Sequence, residues 1–220
     1  FHRNELLRIL QHKLLTPLFQ PLVTLTNGQI WGYEALIRGP SDSALHSPIL
    51  LFKTALAFDL LEPLEMLCRE LSINAFAEAA VEGFLFLNVN PKLLLTSDHP
   101  SGLTKRFIQQ AGLQPDRIVI ELSEQFQVED TELFISAVKH YREFGFKVAI
   151  DDLGSGFSGL KLWSELKPDI VKIDRYFIDE VHRDPTKKAF VKNIIALAKA
   201  TGSKVVAEGI ETSEELLLCR

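Results

Sequence analysis

The fold is indicated most clearly by residues 147–174, which read KVAIDDLGSGFSGLKLWSELKPDIVKID. A short apolar run predicts a strand over Lys147–Asp151, and after a glycine-rich segment the pattern of Leu160–Leu166 predicts a short helix. That helix stops before Pro168, and another apolar run predicts a strand over Asp169–Asp174. A strand, a helix and a strand in this order form a βαβ unit with parallel strands and a right-handed crossover.

The same alternation continues on both sides of this unit. Further strands are predicted over Leu18–Leu25, Gln29–Arg38, Phe84–Asn90, Arg117–Leu122 and Lys204–Ala207, and further helices over Pro48–Phe58, Glu62–Ala80, Leu103–Ala111, Asp130–Phe144 and Pro185–Thr201. Asn27-Gly28 is typical of a tight hairpin, so the first two strands are predicted to be antiparallel. Several other strands are nearly all apolar, as is typical of parallel strands covered on both faces. No linker divides the chain, which predicts one α/β domain.

Composition excludes several classes of protein. The 220 residues are 46% hydrophobic and carry 24 Lys and Arg against 29 Asp and Glu, a net charge of −5. These values are typical of a globular protein and exclude a disordered, collagen-like or coiled-coil chain. No stretch approaches the roughly 18 apolar residues of a membrane span, and an acidic chain is poorly suited to polymeric nucleic acid. Cys68 and Cys219 cannot form a disulfide framework, so we expect a cytoplasmic domain without membrane contact.

The two ends of the chain suggest a longer parent protein. Residues 1–16 begin with Phe1 and read as a lead-in helix already under way. A last helix is predicted to start near Thr212 and to run into the end of the sequence. A complete eight-unit α/β barrel typically needs about 250 residues. We therefore expect residues 17–220 to be a barrel domain truncated at its C-terminus, with an upstream regulatory domain in the parent protein.

The predicted strands end in polar residues that their apolar bodies do not explain. These residues are Glu34, Asn88, Glu121, Asp151 with Asp152, Lys172 and Glu208. The carboxyl ends of parallel strands meet at one rim, where α/β barrels build their active sites. Five carboxylates and one lysine would bring a net charge of −4 there, which two divalent cations would balance. A single residue such as Glu34 could equally be a salt bridge or cap, but six strand ends together favour a site.

The residue types indicate which metal such a site would hold. Carboxylate and amide oxygens suit Mg²⁺ or Mn²⁺. None of the six histidines and neither cysteine lies at a predicted strand end, which argues against zinc. Two such cations about 4 Å apart are the usual clamp for in-line displacement at a phosphoester.

The glycine-rich segment supports a competing interpretation. Residues 154–159 fit the pattern G-x-G-x-x-G between a strand and a helix, with Asp174 placed 20 residues after Gly154. This arrangement matches the fingerprint of a dinucleotide-binding site. However, Asp151 and Asp152 would repel a pyrophosphate, and the fingerprint normally opens the fold instead of following its fifth strand. We rank a mobile active-site loop first, a plain turn second and a dinucleotide site third.

The order of the motifs resembles one family. Residues 33–38 read YEALIR, similar to the signature of EAL domains, the cyclic di-GMP phosphodiesterases. The other matching segments follow in order: Phe19-Gln20-Pro21 before the signature, then Leu87–Asn90, Glu121–Glu124, Asp151–Gly156, Lys172–Arg175 and Ala207–Thr212. Together the segments cover nearly the whole chain.

The resemblance implies a fold, a reaction and a role for each matching residue. The fold would be a TIM-like (β/α)8 barrel with an antiparallel first strand, its last β/α unit missing here. The reaction would be cleavage of cyclic di-GMP to linear pGpG with two Mg²⁺ or Mn²⁺ ions. Ca²⁺ is expected to be inhibitory, because its coordination is larger and looser. One ion would be held by Glu34, Asn88, Glu121 and Asp151, and the second by Asp151, Asp152 and Glu208. Lys172 would hold the attacking water, with Glu34 and Glu208 also catalytic. The substrate would contact Gln20, Arg38, Asp174 and Glu211, and Glu124, Gly154 and Gly156 would stabilise the loop.

Some features leave alternatives open. Leu153, Ser155, Phe157 and Gly159 differ from the residues usual in the family's loop, and a Gln-Gly-Tyr-like segment that would follow Arg220 is not in the sequence. A domain that binds cyclic di-GMP without cleaving it is one alternative, although the intact set of acids favours an enzyme. An NAD-dependent oxidoreductase is another. A homodimer is also compatible with the family.

Overall fold

The computed structural model describes residues 2–90, 101–123, 131–154 and 159–220. Within them a seven-stranded sheet runs through β1 (Thr16–Val23), β2 (Ile30–Arg38), β3 (Phe84–Asn88), β4 (Ile118–Ser123), β5 (Lys147–Leu153), β6 (Ile170–Ile173) and β7 (Lys204–Ala207), each paired with the next along the chain. The β1–β2 pair is antiparallel and all other pairs are parallel. The sheet curls into a half-barrel, so the predicted TIM-like fold with an antiparallel first strand is confirmed.

Helices cover the outer face of the sheet. The described ones are α1 (His2–His12), α2 (Pro48–Ala57), α3 (Leu61–Ala79), α4 (Ser101–Gln110), α5 (Thr131–Glu143), α6 (Gly159–Leu166), α7 (Arg175–Ile178), α8 (Pro185–Thr201) and α9 (Ser213–Cys219), with a 3₁₀ turn at Pro115–Arg117. Gly202 ends α8 in the left-handed conformation, as its position after the apolar pattern indicated. None of these helices has the length and apolar character that a membrane span requires.

Several predicted strand ends are shifted. β1 lies two residues earlier than predicted, because the Thr24 N–H bonds to Gln29 O and closes the hairpin there. β3 ends at Asn88 instead of Asn90, and the 3₁₀ turn delays the start of β4 by one residue. β5 continues past Asp151 to Leu153. The helix α7 was not predicted, since its four residues are too few to show a periodic pattern.

The parallel strands are apolar on both faces because each face packs into a buried cluster. On one face, Phe86, Val119, Ala149 and Ile170 are buried together in a cluster of their own. The alternate residues lie in the larger core between the sheet and the helices. Because both faces are buried, the strands show continuous apolar runs instead of an alternating pattern. The cluster of four forms the floor on which the polar rim described below is built.

A buried ion pair connects α3 to its surroundings. Glu65 and Arg69 are both almost fully buried, and Arg69 Nη2 lies 2.9 Å from Glu65 Oε2. Arg69 Nη1 also donates to Thr104 Oγ1 in α4 at 3.3 Å, and the Asn90 N–H donates to Glu65 Oε2 at 3.3 Å. Burial raises the pKa of Glu65, while the charge of Arg69 opposes that rise. The pair therefore joins two helices to the chain that leaves β3.

Removing one partner of this pair should be costly. Arg69→Met is expected to lower the free energy of unfolding by about 3–5 kcal/mol, because a buried carboxylate loses its cation. The double variant Glu65→Leu/Arg69→Met should cost less, since no unpaired charge remains. Urea unfolding measures both effects. The exposed pair Lys13–Glu70 is the control, and removing it should cost at most about 1 kcal/mol. An Arg69→Met cost no larger than the control would contradict the expectation.

Candidate active site at the carboxyl rim of the sheet

The polar residues at the strand ends form a layer above the apolar floor. Residues two apart on a strand share a face, and each member of the floor has its polar neighbour two positions further along the strand. The pairs are Phe86 with Asn88, Val119 with Glu121, Ala149 with Asp151 and Ile170 with Lys172. Glu34 lies opposite Phe86 in the β2–β3 register, and Glu208 follows β7 directly. The sheet therefore brings the predicted strand-end residues to one rim.

Lys172 lies at the centre of this rim and is almost completely buried. Its Nζ lies 3.0 Å from Glu34 Oε2, 2.8 Å from Glu121 Oε1, 2.9 Å from Asp151 Oδ1 and 2.8 Å from Glu208 Oε1. An ammonium group has three N–H donors, so it cannot satisfy four carboxylates. Among the described residues, Glu121 Oε1 and Asp151 Oδ1 have only the shared ammonium as a partner, and Glu121 Oε2 receives no hydrogen bond. The rim thus has more buried acceptors than the lysine can serve.

Burial and mutual repulsion shift the pKa values of the acids. Burial raises the pKa of Glu121 well above its usual value, and the charges of Glu34 and Asp151 add to the rise against that of Lys172. Burial raises the pKa of Glu208 to about 7, and burial together with neighbouring acids raises that of Asp152 to about 6. Burial lowers the pKa of Lys172, but the carboxylates around it raise it by more. The lysine therefore stays charged, while the acids favour protons or bound cations.

A β-bulge brings the two adjacent aspartates to the same region. Ile150 pairs with Val171 and Leu153 with Ile173, so β5 uses three residues where β6 uses two. Asp152 accommodates the bulge by adopting a φ of 56°. This is a left-handed conformation, which aspartate tolerates better than most residues. Strict alternation would have put Asp152 on the opposite face. Instead, carboxylate oxygens of Asp151, Asp152 and Glu208 lie within 4.8 Å of one another, close enough to share a cation.

The amide of Asn88 extends the site towards β2. Asn88 Nδ2 donates to Glu34 Oε1 at 3.2 Å. Since the amide nitrogen is used in this bond, the carbonyl oxygen is the atom that could act as a ligand. Asn88 also pairs with Glu121 in the β3–β4 register. Glu34, Asn88, Glu121 and Asp151 thus form one continuous set of oxygen donors.

The residues predicted to contact substrate have different surroundings. Gln20 lies opposite Glu34 in the β1–β2 register, and Arg38 lines a cavity of about 540 Å³ beside Asn88. The side chain of Asp174 caps α7 by accepting the Tyr176 N–H at 2.7 Å, and its charge helps to raise the pKa of Asp152. Glu211 pairs instead with Arg175 at 2.6 Å, and both side chains are largely exposed. Gln20 and Asp174 therefore lie near the acids. Arg38 instead lines the neighbouring cavity, where its Nη1 donates to Ile37 O at 2.8 Å, and Glu211 has its partner outside the acids.

The loop after β5 is described only at its start. Gly154 has a φ of 102°, and a Cβ there would clash with the ring of Phe177. Only glycine fits this close approach. The predicted loop residues Glu124 and Gly156 lie outside the described residues, as do Ser155 and Phe157.

Sequence reasoning missed Glu215. Its carboxylate is buried and accepts backbone N–H groups from three residues, Glu180, Glu211 and Thr212. The sequence does contain a signal for this residue: Thr212 and Glu215 have the spacing of a capping box, which is typical of the start of a helix, here α9.

The curled α/β sheet and the acids clustered at its carboxyl rim define the class of protein. It is a TIM-barrel-like protein, and its candidate active site lies at the end of the strands where such proteins usually carry it. More specifically, the chain belongs to the EAL domain family, since the family model described as EAL domain matches residues 3–220.

Relatives and solved structures agree with this family. The chain is 33% identical over 201 residues to "Probable cyclic di-GMP phosphodiesterase PdeB" of Escherichia coli K12, covering 90% of this chain and 38% of the relative. It is 27% identical over 216 residues to "Cyclic di-GMP phosphodiesterase PdeR" of the same organism, covering 96% of this chain and 32% of the relative. The chain thus spans well under half the length of these two relatives.

The structural neighbours include complexes with nucleotide and metal. Klebsiella pneumoniae BlrP1 in its calcium and cyclic di-GMP complex superposes with a TM-score of 0.86 at 29% identity, covering 94% of this chain and 52% of that one. Its manganese and cyclic di-GMP complex at pH 9.0 gives a TM-score of 0.85 at the same identity and coverage. The EAL enzyme Bd1971, bound to cAMP and cyclic di-GMP, gives 0.86 at 29% identity over 99% of this chain and 61% of that one.

Proposed function

We propose that this domain is a metal-dependent phosphodiesterase that hydrolyses cyclic di-GMP to linear pGpG. The observation that carries the proposal is the rim itself, where four carboxylates surround one buried lysine and a fifth, Asp152, lies beside them. The family and the cyclic di-GMP phosphodiesterases among its relatives support the choice of substrate.

The rim fits a pair of divalent cations. Five carboxylates and Lys172 give a net charge of −4 when all are ionised. Four of these carboxylates share the single ammonium, and the buried Glu121 Oε2 receives no hydrogen bond from the described residues. Glu34, Asn88, Glu121 and Asp151 would hold one cation, and Asp151, Asp152 and Glu208 the other. These oxygen donors suit Mg²⁺ or Mn²⁺. When bound, such cations act as Lewis acids and lower the pKa of water.

The chain's own residues would bind and orient the reactants. Lys172 remains protonated because carboxylates surround it, so its ammonium can hold the attacking water and stabilise charge that develops on the phosphate. Glu34 and Glu208 contact this ammonium at 3.0 Å and 2.8 Å, and so fix its position. The guanidinium of Arg38 can donate two parallel hydrogen bonds to a phosphate, and Gln20 would contact the same ligand.

Hydrolysis can be tested directly with the purified protein. Cyclic di-GMP incubated with Mg²⁺ or Mn²⁺ should give pGpG on chromatography, and the variant Glu34→Ala should give almost none. Binding of cyclic di-GMP without pGpG above the Glu34→Ala level would support the receptor alternative instead. Titration with NADH should leave its fluorescence unchanged, and a change would favour the oxidoreductase alternative.

Calcium provides a further test of the metal site. Ca²⁺ is larger than Mg²⁺ and accepts looser, more variable coordination. We therefore expect Ca²⁺ to support binding of cyclic di-GMP but not its hydrolysis. Equal turnover with Ca²⁺ and Mn²⁺ would contradict this expectation.

The pH dependence of stability should reverse when metal is added. The pKa values of Asp152 and Glu208 are raised to about 6 and about 7, so folding favours their protonated forms. Their contribution to stability is full below the unfolded values of about 4 and is lost as the pH rises through 6 and 7. Metal ligands must be deprotonated, so Mn²⁺ should stabilise more at pH 8 than at pH 5.5.

Thermal melts with EDTA or Mn²⁺ across this range measure both effects. The variant Asp152→Asn/Glu208→Gln is the control and should flatten both dependences. An unchanged pH profile in this variant would contradict the assignment of the two groups.

The setting of the domain is also part of the proposal. Cys68 and Cys219 are free thiols, which is compatible with the reducing cytoplasm. We propose that the domain acts there as the output unit of a longer signalling protein with an upstream regulatory domain, in keeping with the greater length of its relatives. A homodimer is a further expectation, which light scattering can test.

A further inference from the structure

The segment between β7 and α9 carries two of the predicted site residues, Glu208 and Glu211. At its start the Glu208 N–H donates to Ile173 O at 3.1 Å, so β6 holds this end of the segment. Gly209 follows with a φ of 70°, and a Cβ there would lie 2.5 Å from Arg175 Cγ. The segment is therefore tightly placed from its first two residues.

The other end of the segment is held by one buried side chain. Glu215 is 2% exposed, and its Oε2 accepts the N–H groups of Glu211 at 2.9 Å and Thr212 at 3.0 Å. Its Oε1 accepts the Glu180 N–H at 3.0 Å. Glu180 lies just after α7, and α7 follows β6. One carboxylate thus joins the segment after β7 to the segment after β6.

These three bonds are well suited to a charged carboxylate. Hydrogen bonds from the N–H of Glu211, which has the larger effect, and from the N–H of Glu180 lower the pKa of Glu215 to about 2. The Glu215 carboxyl is therefore ionised at neutral pH. A carboxylate with two acceptor oxygens can serve all three donors, whereas most side chains of this size cannot. The neighbouring Glu214 is different, because its side chain is exposed and bonds only locally to Ser213 Oγ.

We propose that Glu215 is a positioning residue for the candidate metal site. It does not contact the acid cluster, but it fixes the backbone that follows Glu208 and thereby places the Glu208 carboxylate beside Asp151 and Asp152. This inference rests on the proposed function, because it assumes that these carboxylates hold metal. The alternative is that Glu215 only caps α9, in which case it would affect stability without affecting the metal.

The test measures Mn²⁺ binding by calorimetry, with circular dichroism to confirm that each variant is folded. Glu215→Ala should weaken Mn²⁺ binding about 10- to 100-fold, as is usual when a group that orients a ligand is lost. Glu215→Gln should weaken it less, because the amide oxygen can still accept from Glu211 and Thr212 but the amide nitrogen cannot accept from Glu180. Glu214→Gln is the matched control on the same turn and should bind Mn²⁺ as tightly as the unsubstituted protein.

A double-mutant cycle shows whether Glu215 acts through Glu208. In a Glu208→Gln background, Glu215→Ala should reduce Mn²⁺ affinity little further, because the group that it positions is already altered. Equal losses in both backgrounds would overturn the proposal, as would full Mn²⁺ affinity in Glu215→Ala. If Glu215→Ala does not fold, the same comparison with Glu215→Gln decides the question. Absence of Mn²⁺ binding by the unsubstituted protein would instead overturn the proposed function, and this inference with it.

Discussion

Asp151→Asn is expected to lower kcat/KM for cyclic di-GMP by about 10³-fold, the upper end of the loss of one preorganised electrostatic group. This corresponds to about 4 kcal/mol of transition-state stabilisation. Asp151 belongs to both proposed sets of metal donors, contacting Lys172 at 2.9 Å and lying beside Asp152 and Glu208. Asparagine keeps the shape of the side chain but removes its charge, so the loss should come from metal and not from packing.

Stability separates this interpretation from a structural role. Without metal, Asp151→Asn should melt at the same temperature as the unsubstituted protein or higher, because the substitution removes one of five mutually repelling carboxylates. The increase in melting temperature on adding Mn²⁺ should be smaller in the variant. Asp116→Asn is the matched control. Asp116 is exposed in the 3₁₀ turn before β4, at the end of the sheet opposite to the rim. A metal-free Asp151→Asn that melts well below the control would contradict a role as metal ligand.

Lys172→Met is expected to make the fold itself depend on metal. The substitution removes the only cation in contact with four described carboxylates, one of which, Glu121, is fully buried. Breaking a buried charge network in this way typically costs about 3–5 kcal/mol. At about 2–4 °C per kcal/mol for a chain of this size, the metal-free melting temperature should fall by about 10 °C.

The loss should be larger at pH 8 than at pH 5.5, because protonation of the acids relieves their repulsion. Mn²⁺ should restore much of the stability by replacing the missing positive charge. Even with Mn²⁺, the activity of the variant should be about 10²- to 10³-fold lower than that of the unsubstituted protein, because the ammonium that would contact the water and phosphate is absent. Thermal melts with EDTA or Mn²⁺, followed by the pGpG assay, measure the three effects.

Lys204→Met is the matched control for this variant. Lys204 begins β7 and lies on the same face of the sheet as Lys172, but at the end of the sheet opposite to the rim. There it is exposed and contacts the ring of Trp31. Its loss should change the melting temperature little and leave activity intact. Equal melting temperatures for Lys172→Met and Lys204→Met without metal would contradict the central role of Lys172.

The strand pattern and the turn residues predicted most of the fold. The pattern placed β7 over Lys204–Ala207, where the structure has it, and Asn27-Gly28 predicted the antiparallel first pair. The strand ends were less accurate, because a strand ends where its regular pairing with a neighbour ends, and the sequence does not show that point. β3 was predicted to continue to Asn90, but its pairing with β4 ends at Asn88, although β4 itself continues to Ser123.

The candidate site was predictable in its membership but not in its geometry. A polar residue after an apolar strand is visible in the sequence, and its face follows from alternation. The bulge at Asp152 breaks that alternation, and it depends on how β5 pairs with β6. Glu215 depends on tertiary structure in the same way, because one of its three donors, on Glu180, comes from a distant part of the chain.

The sequence by itself determined which residues stand at the strand ends, and hence the number of carboxylates available for metal. Only the tertiary structure decided that Glu34 and Lys172, 138 residues apart, meet at 3.0 Å. It also decided that Glu121 is buried and that the pKa of Glu208 rises to about 7. The physical reason is that desolvation and Coulomb interactions depend on distances through space and on exclusion of water. Spacing along the chain fixes neither quantity until the sheet has curled.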